Sequence, residues 1–187
     1  WSSDVCSSDL KDFVAMLERV RERTGMLIVL DEVITLRLSR GGAQELYSLR
    51  ADLTALGKII GGGFPVGAVG GSGEIMSVFD PSSASLAVPH SGTFNANPVT
   101  VSAGIASMQY FDAAEIERLG QLGTRARAGV DAAFRENGVP GQVTGLGSLF
   151  RIHVHDRPLS DYRSSLIDDE ERAFLTAILA HMRANGV

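Results

Sequence analysis

Leu53 to Gly71 reads LTALGKIIGGGFPVGAVGG, and the lysine inside it, Lys58, is the residue around which the rest of the chain is organised. The segment before it, Leu53-Thr54-Ala55-Leu56, alternates and is partly apolar, which predicts a short buried strand. After it come Gly61, Gly62 and Gly63, then Phe64-Pro65 and a second run of small residues, Val66 to Gly71. A strand that delivers a lysine into a glycine-lined turn places an amine where burial favours its neutral, nucleophilic form, as Schiff-base chemistry requires. A surface lysine beside a flexible loop explains the same local residues equally well, because glycine-rich turns are common. Two other glycine motifs do not fit. A P-loop needs its glycines ahead of Gly-Lys and a Ser or Thr directly after, whereas Ile59 follows Lys58. The dinucleotide fingerprint would start at Gly61 and Gly63, but Val66 stands at its third glycine position.

With 44% hydrophobic residues in 187, the chain has the apolar material for a core. A formal charge of −5 is the wrong sign for a nucleic-acid surface. The single cysteine, Cys6, leaves no internal disulfide framework and no cysteine metal cluster. No apolar run approaches ~18 residues, so no membrane-spanning helix is expected. No positively charged start precedes an apolar core, so no signal peptide is expected either. These features predict a soluble, cytoplasmic protein with neither nucleic acid nor membrane as a partner.

Residues 1–10, WSSDVCSSDL, repeat a Ser-Ser-Asp unit and show no periodic pattern. They read as a foreign or disordered head. Leu10, Phe13, Val14 and Leu17 then follow helical spacing, with Asp9 as a candidate cap and Thr24-Gly25 as the stop. Met26 to Leu30 is a continuous apolar run, as in a strand covered on both faces. It ends in Asp31-Glu32-Val33, and the C-terminal end of a buried parallel strand is where open α/β sheets bind ligands. Asp31 is therefore a candidate site residue, although a strand-end acid that merely caps the next turn reads the same way. The segment from Ile34 to Ser39 reads as a loop, with Arg37 and the following Arg40 as possible anion contacts, although isolated loop arginines are more often solvated; a short helix over Ala43 to Tyr47 comes next.

Downstream, Glu74 to Phe79 predicts a short helix and Asp80 to Pro89 a polar loop. Asn97 is a good N-cap with Pro98 at the first helical position. Ahead of it, Ser91-Gly92-Thr93 offers hydroxyls and an open backbone N–H to a phosphate, or is an ordinary Ser/Thr turn. His90 has no other ligand at metal spacing and reads as structural or interfacial. From Asp112 the character changes. A long amphipathic helix, two strands (Gln142 to Leu146 and Leu149 to Val154) and a last helix striped by Phe174, Ala177, Ile178 and Met182 make a small α+β unit. His153, His155 and His181 read as polar positions within it. The expected organisation is a head over 1–10, a large domain over 11–111 and a small domain over 112–187.

Asp31, Lys58 and the Ser91-Gly92-Thr93 turn occur in that order, in LIVLDEV, DLTALGKIIGGGFPVGAVGG and HSGTFNANPVTVSAG. This set resembles the class III aminotransferases, the pyridoxal-phosphate enzymes of fold type I. The branch it resembles holds glutamate-1-semialdehyde 2,1-aminomutases and β-amino-acid transaminases. The resemblance implies an α/β fold: part of a large domain with a mixed, mostly parallel sheet, followed by part of a smaller α+β C-terminal domain. It implies that Lys58 forms a Schiff base with the cofactor aldehyde and then moves the substrate proton. Asp31 would pair with the pyridine nitrogen and Val33 would pack on the ring. Thr93, beside Gly92, would reach the phosphate in a neighbouring subunit, which implies a homodimer with shared active sites. The substrates implied are an amino-acid or amine donor and a keto-acid or aldehyde acceptor, or glutamate semialdehyde in an aminomutase. No metal is implied.

The chain departs from that family in places. Thr35 is followed by Leu36-Arg37-Leu38, one glycine short of the usual loop, which is closer to the β-amino-acid transaminases. Gly41-Gly42-Ala43-Gln44 is closer to the aminomutases. Family members are roughly twice this long, so the chain reads as a fragment that is inactive alone, with the faces of Met26–Leu30 and Val66–Val69 partly uncovered. A non-catalytic module keeping the fold and a different lysine enzyme, such as an aldolase, are the competing classes. The hairpin-bearing second unit argues against the barrel an aldolase would need.

Overall fold

The computed structural model describes residues 5–82 and 88–187. Two compact units emerge, Ser8–Arg118 and Leu119–Val187. Their boundary falls a turn and a half beyond Asp112, where the sequence character changes, because Asp112 is the cap of a helix, α5 (Ala113–Glu136), and accepts the Glu115 amide at 2.9 Å.

The first unit opens inside α1 (Val5–Thr24). It starts earlier than the Asp9 cap predicted, so Asp9 lies inside the helix and the head is not wholly irregular. Extending an established helix adds one hydrogen bond per residue fixed, which the modest propensities of Ser and Asp do not prevent. Residues 1–4 lie outside the described residues. The stop is as expected: Gly25 adopts φ +69° and its N–H donates to the Arg21 carbonyl at 2.8 Å. Helix α1 is tied to the following chain through Arg21, which donates to the Arg50 carbonyl and pairs with Glu18.

Three strands form one sheet in the order β1 (Val29–Asp31), β2 (Leu53–Gly57), β3 (Gly67–Gly71). The pair β1–β2 is parallel, with Asp31 opposite Ala55, and β2–β3 is antiparallel, with Gly57 opposite Gly67. The sheet is thus mixed, as expected, with one parallel pairing among the described residues. The Met26–Leu30 run is not covered on both faces: Ile28 is buried, while Leu27 is 54% and Val29 63% exposed. Among the described residues no further element packs on that side strongly enough to cover it.

A short helix, α2 (Gly42–Tyr47), precedes β2, and α3 (Gly73–Met76) follows β3 with Ser72 as its cap. Part of the predicted Asp80–Pro89 loop, residues 83–87, lies outside the described residues. Helix α4 (Pro98–Tyr110) begins as its sequence dictates, with Asn97 Oδ1 accepting from the Val99 and Thr100 amides at 3.0 and 3.3 Å.

The second unit contains most of α5, the antiparallel hairpin β4 (Gln142–Leu146) and β5 (Leu149–His153), and α6 (Asp169–Ala184). Gly138, at φ +63°, ends α5, and Gly147, at φ +55°, turns the hairpin. Asp168 and Glu171 close a capping box at the start of α6. Phe134 and Val154 are buried here; Ile28 and Phe111 are buried in the first unit.

Candidate active site

Asp31 is the last residue of β1, and Lys58 directly follows β2, the parallel neighbour. The register therefore brings a carboxylate and an amine to adjacent strand ends. Beyond β2 the chain cannot continue straight. Lys58 itself adopts φ +48° and opens a one-turn 3-10 segment to Gly61, which Gly62 closes at φ +58°. A non-glycine residue in the left-handed region costs energy that the surroundings must sustain, and such positions cluster at functional sites.

What sustains it is α4. A Cβ on Gly62 would overlap the Ala103 carbonyl, and a Cβ on Gly104 would overlap the Ile60 carbonyl. The lysine turn and the helix therefore touch backbone to backbone. Ser107 adds a hydroxyl at 3.5 Å from the Ile59 carbonyl. On the other side Val33 packs on the Gly57 backbone, where a Cβ would stand 3.3 Å from Val33 Cγ1.

Lys58 is exposed rather than buried as the sequence predicted, and a cavity of about 630 Å³ opens beside it, lined by Val33, Ile34, Arg37, Lys58, Phe64 and Val66 among others. The sequence-predicted Lys58, Val33 and Arg37 thus share one cavity, whereas Asp31 is not among its lining residues and stands at the end of the neighbouring strand. Asp31 Oδ1 accepts the Val33 amide at 2.9 Å; its second carboxylate oxygen has no hydrogen bond among the described residues. Arg37 Nε is buried with no hydrogen-bond partner. A buried donor without a partner carries an unmet hydrogen-bonding capacity.

Gly92 and Thr93 do not line this cavity. They lie on an exposed loop whose shape is set by the Asn95 amide donating to the Gly92 carbonyl at 3.0 Å and by a His90–Asn95 side-chain bond at 3.2 Å. His90 stacks edge-on against Phe79, with ring centroids 5.8 Å apart, in keeping with a structural part. Among the described residues no group of three potential metal ligands comes together.

Two residues that sequence reasoning passed over are central. Glu32 is completely buried, and its carboxylate accepts the Ala43 amide at 3.0 Å, the Gln44 amide at 2.9 Å and the Thr35 hydroxyl. Gly104 is the seat of the lysine turn. The Asp-Glu pair itself was the available signal for the first; nothing local marks the second.

A mixed α/β sheet of this kind matches the fold type I pyridoxal-phosphate transaminases. The chain belongs to the class III aminotransferases, pyridoxal-phosphate enzymes: the family described as Aminotransferase class-III matches residues 7–187. An omega-transaminase from Sphaerobacter thermophilus superposes with a TM-score of 0.89 and 52% identity, over 95% of this chain and 40% of that one. A transaminase with PLP bound superposes at 0.75 with 43% identity, over 79% of this chain and 35% of that one. A glutamate-1-semialdehyde 2,1-aminomutase from Opitutus terrae is 42% identical over 91% of this chain and 40% of its own length. The chain spans about two fifths of the length of these relatives.

Proposed function

We propose that this chain carries the lysine-centred part of a pyridoxal-phosphate-dependent aminotransferase, moving an amino group between an amino acid or amine and a keto acid or aldehyde. The observation that carries the reading is the single cavity shared by Lys58, Val33 and Arg37, with Asp31 at the neighbouring strand end. These residues fit the cofactor. The unbonded oxygen of Asp31 suits a protonated pyridine nitrogen, the Val33 methyls suit a ring face, and the Lys58 amine suits an aldehyde.

When bound, pyridoxal phosphate supplies a protonated ring that takes up the electron pair left when the amine-bearing carbon loses its proton. Lys58 Nζ would provide the point of covalent attachment and, once released, would take the proton from the amine-bearing substrate carbon and deliver it to the cofactor's aldehyde carbon, on the other side of the nitrogen. Asp31 keeps the ring nitrogen protonated. Arg37, through its unpaired buried Nε, holds a substrate carboxylate. Thr93, on an exposed loop away from the cavity, serves the phosphate site of a second copy, so the working enzyme is a homodimer with shared active sites. The acidic composition with one cysteine suits a cytoplasmic setting.

The aminomutase is the second reading, favoured by the 42% identity to the Opitutus protein. The stretch nearest to aminomutases, Gly41-Gly42-Ala43-Gln44, has a structural use here, since Ala43 and Gln44 donate to Glu32. Intramolecular transfer also needs no acceptor, so assay of the full-length protein on glutamate 1-semialdehyde alone, against amine donors with pyruvate, separates the two. Lys58 is tested by borohydride reduction and peptide mass spectrometry. The cofactor adduct is expected on Lys58 and absent from Lys58→Ala; an adduct on Lys11, the other lysine of this chain, would overturn the reading.

A further inference from the structure

The site's acid and its anion receptor lie on one short segment, Asp31 to Arg37, that leaves the sheet. Its direction is fixed at Glu32. The Glu32 amide donates to the Ala55 carbonyl at 2.9 Å, which extends the parallel ladder to within three residues of Lys58. The Glu32 carbonyl accepts the Leu36 amide at 3.1 Å, closing the turn that carries Val33 and Ile34. The side chain runs to the other face from exposed Asp31, as consecutive strand residues do, and ends in a sealed pocket. There Oε1 accepts the Gln44 amide, and Oε2 accepts the Ala43 amide and the Thr35 hydroxyl. Gln44 in turn reaches Thr54 on β2 at 3.0 Å.

Gly42 completes the fit. It holds φ +71°, and a Cβ there would stand 2.5 Å from Glu32 Oε1. Only a residue without a side chain lets the chain pass that close to the carboxylate.

We propose that Glu32 is a positioning residue for the transfer reaction: its buried carboxylate locks the Asp31–Arg37 segment onto the start of α2 and so sets where Asp31 and Arg37 stand relative to Lys58. The proposal rests on the function proposed above for Asp31 and Lys58. Glu32 itself touches no cavity atom; it acts through its neighbours on either side. Three donors converge on two oxygens, so an amide cannot replace the carboxylate. Whichever way a glutamine is turned, its NH₂ faces a backbone N–H, of Ala43 or of Gln44, that has lost its acceptor. A buried unpaired donor shifts the segment until the donor finds water or another partner.

The test compares Glu32→Gln in the full-length protein with wild type and with Glu45→Gln, which alters an exposed carboxylate bound to the Gly41 amide on the same turn. Three quantities are read: the pH midpoint of the visible absorbance of added pyridoxal phosphate, kcat and KM separately, and thermal melting of the cofactor-free protein. Glu32→Gln is expected to move the midpoint and to lower kcat about 100-fold, the order expected for misplacement by about 1 Å. Its melting temperature should fall by several degrees, as an unpaired buried donor costs, with the protein still folded at the assay temperature, and Glu45→Gln should match wild type throughout. An unmoved midpoint with full kcat, or a loss of kcat that only tracks a loss of melting temperature, overturns the proposal. If Glu32→Gln does not fold, Thr35→Val, which removes one of the three donors, must move the midpoint in the same direction by less; no movement overturns it. If wild type takes up no cofactor, it is the function proposed above that fails, and positioning is read without cofactor. The Val33 amide, bonded to Asp31 Oδ1, should then exchange with solvent faster in Glu32→Gln than in Glu45→Gln, and equal exchange overturns the proposal.

Discussion

Asp31 uses Oδ1 to accept the Val33 amide, which points its other oxygen away from the turn and leaves it free for a ligand. Asn at this position keeps the Val33 bond but presents an NH₂ where a proton acceptor is needed. Asp31→Asn is therefore expected to preserve attachment of pyridoxal phosphate to Lys58 while slowing proton transfer. An ion pair of this kind moves a partner's pKa by ~1–3 units, so the rate should fall ~10- to 1000-fold. Single-turnover absorbance measurements on the full-length protein check this; an unchanged rate with Asn at 31 would remove Asp31 from the mechanism. Lys58 poses the complementary case. Its φ of +48° is unusual for a side-chain-bearing residue, and the sequence gives no local hint of it beyond the glycines that follow. The lysine and the acid were legible because each sits at the end of a recognisable apolar run. Glu32 was not, because its amide donors lie 11 and 12 residues downstream.

Helix α4 and the lysine turn form the tightest joint in the first unit, made by Gly62 and Gly104 facing one another's backbone. A methyl at 104 must push the turn away, so Gly104→Ala should destabilise the protein by about 1–3 kcal/mol and loosen cofactor retention. Gly129→Ala in α5 is the control, since a Cβ there meets nothing within 4 Å. It should stabilise by up to about 1 kcal/mol through helix propensity alone. Denaturant melts of the two variants separate the effects, and equal midpoints would mean that the joint bears no strain. Elements of this kind divide by the range of their cause. The Asn97-Pro98 start of α4, the Thr24-Gly25 stop of α1 and the Gly147 hairpin turn follow from neighbours within a few residues, and sequence predicts all three. The α4 joint pairs residues over 40 positions apart, which no periodicity reveals. The hairpin adds a pH dependence. His153 is buried and bonded to Thr144 Oγ1 at 3.0 Å; burial first, then the Arg151 charge and the His155 ring, hold its pKa down from 6.5 to about 4. The unfolded chain thus binds a proton that the native state refuses between those values, and stability falls as pH drops from about 6.5 toward 4. Glu171, held down from 4.5 to about 2 chiefly by its bond to Arg157, makes its contribution above 4.5 and loses it as pH falls toward 2. His153→Leu should flatten the upper window of a Tm-against-pH curve and leave the lower one; a slope that persists between 6.5 and 4 would show that His153 is not its source.

On the scale of the whole molecule, the chain exposes 12950 Å² of solvent-accessible surface. Two separate compact domains of the same total mass would expose roughly 10,000 Å². The excess is apolar in places. Phe94 is 81% and Tyr110 85% exposed, and Val99, Val101 and Ile105 stand out from α4, a helix of apolar side chains around most of its circumference. Such a helix is normally enclosed. The sheet shows the same condition at Val29 and Val69, as does Leu27 in the run leading into β1. Relatives of this family are about two and a half times longer over the same fold, since this chain spans 40% of them, and a second copy would bring further cover. Residues 1–187 expressed alone are therefore expected to aggregate or remain only partly folded, to bind pyridoxal phosphate weakly, and to show no transamination. The acid, the lysine and the cavity are present in this piece, whereas cover for the exposed faces is not. Solubility, cofactor absorbance and amino transfer to pyruvate, measured on the isolated chain beside the full-length protein, test this directly. A soluble dimer with a stable cofactor band and steady turnover would show that the exposed faces of α4 and the sheet need no cover beyond a second copy.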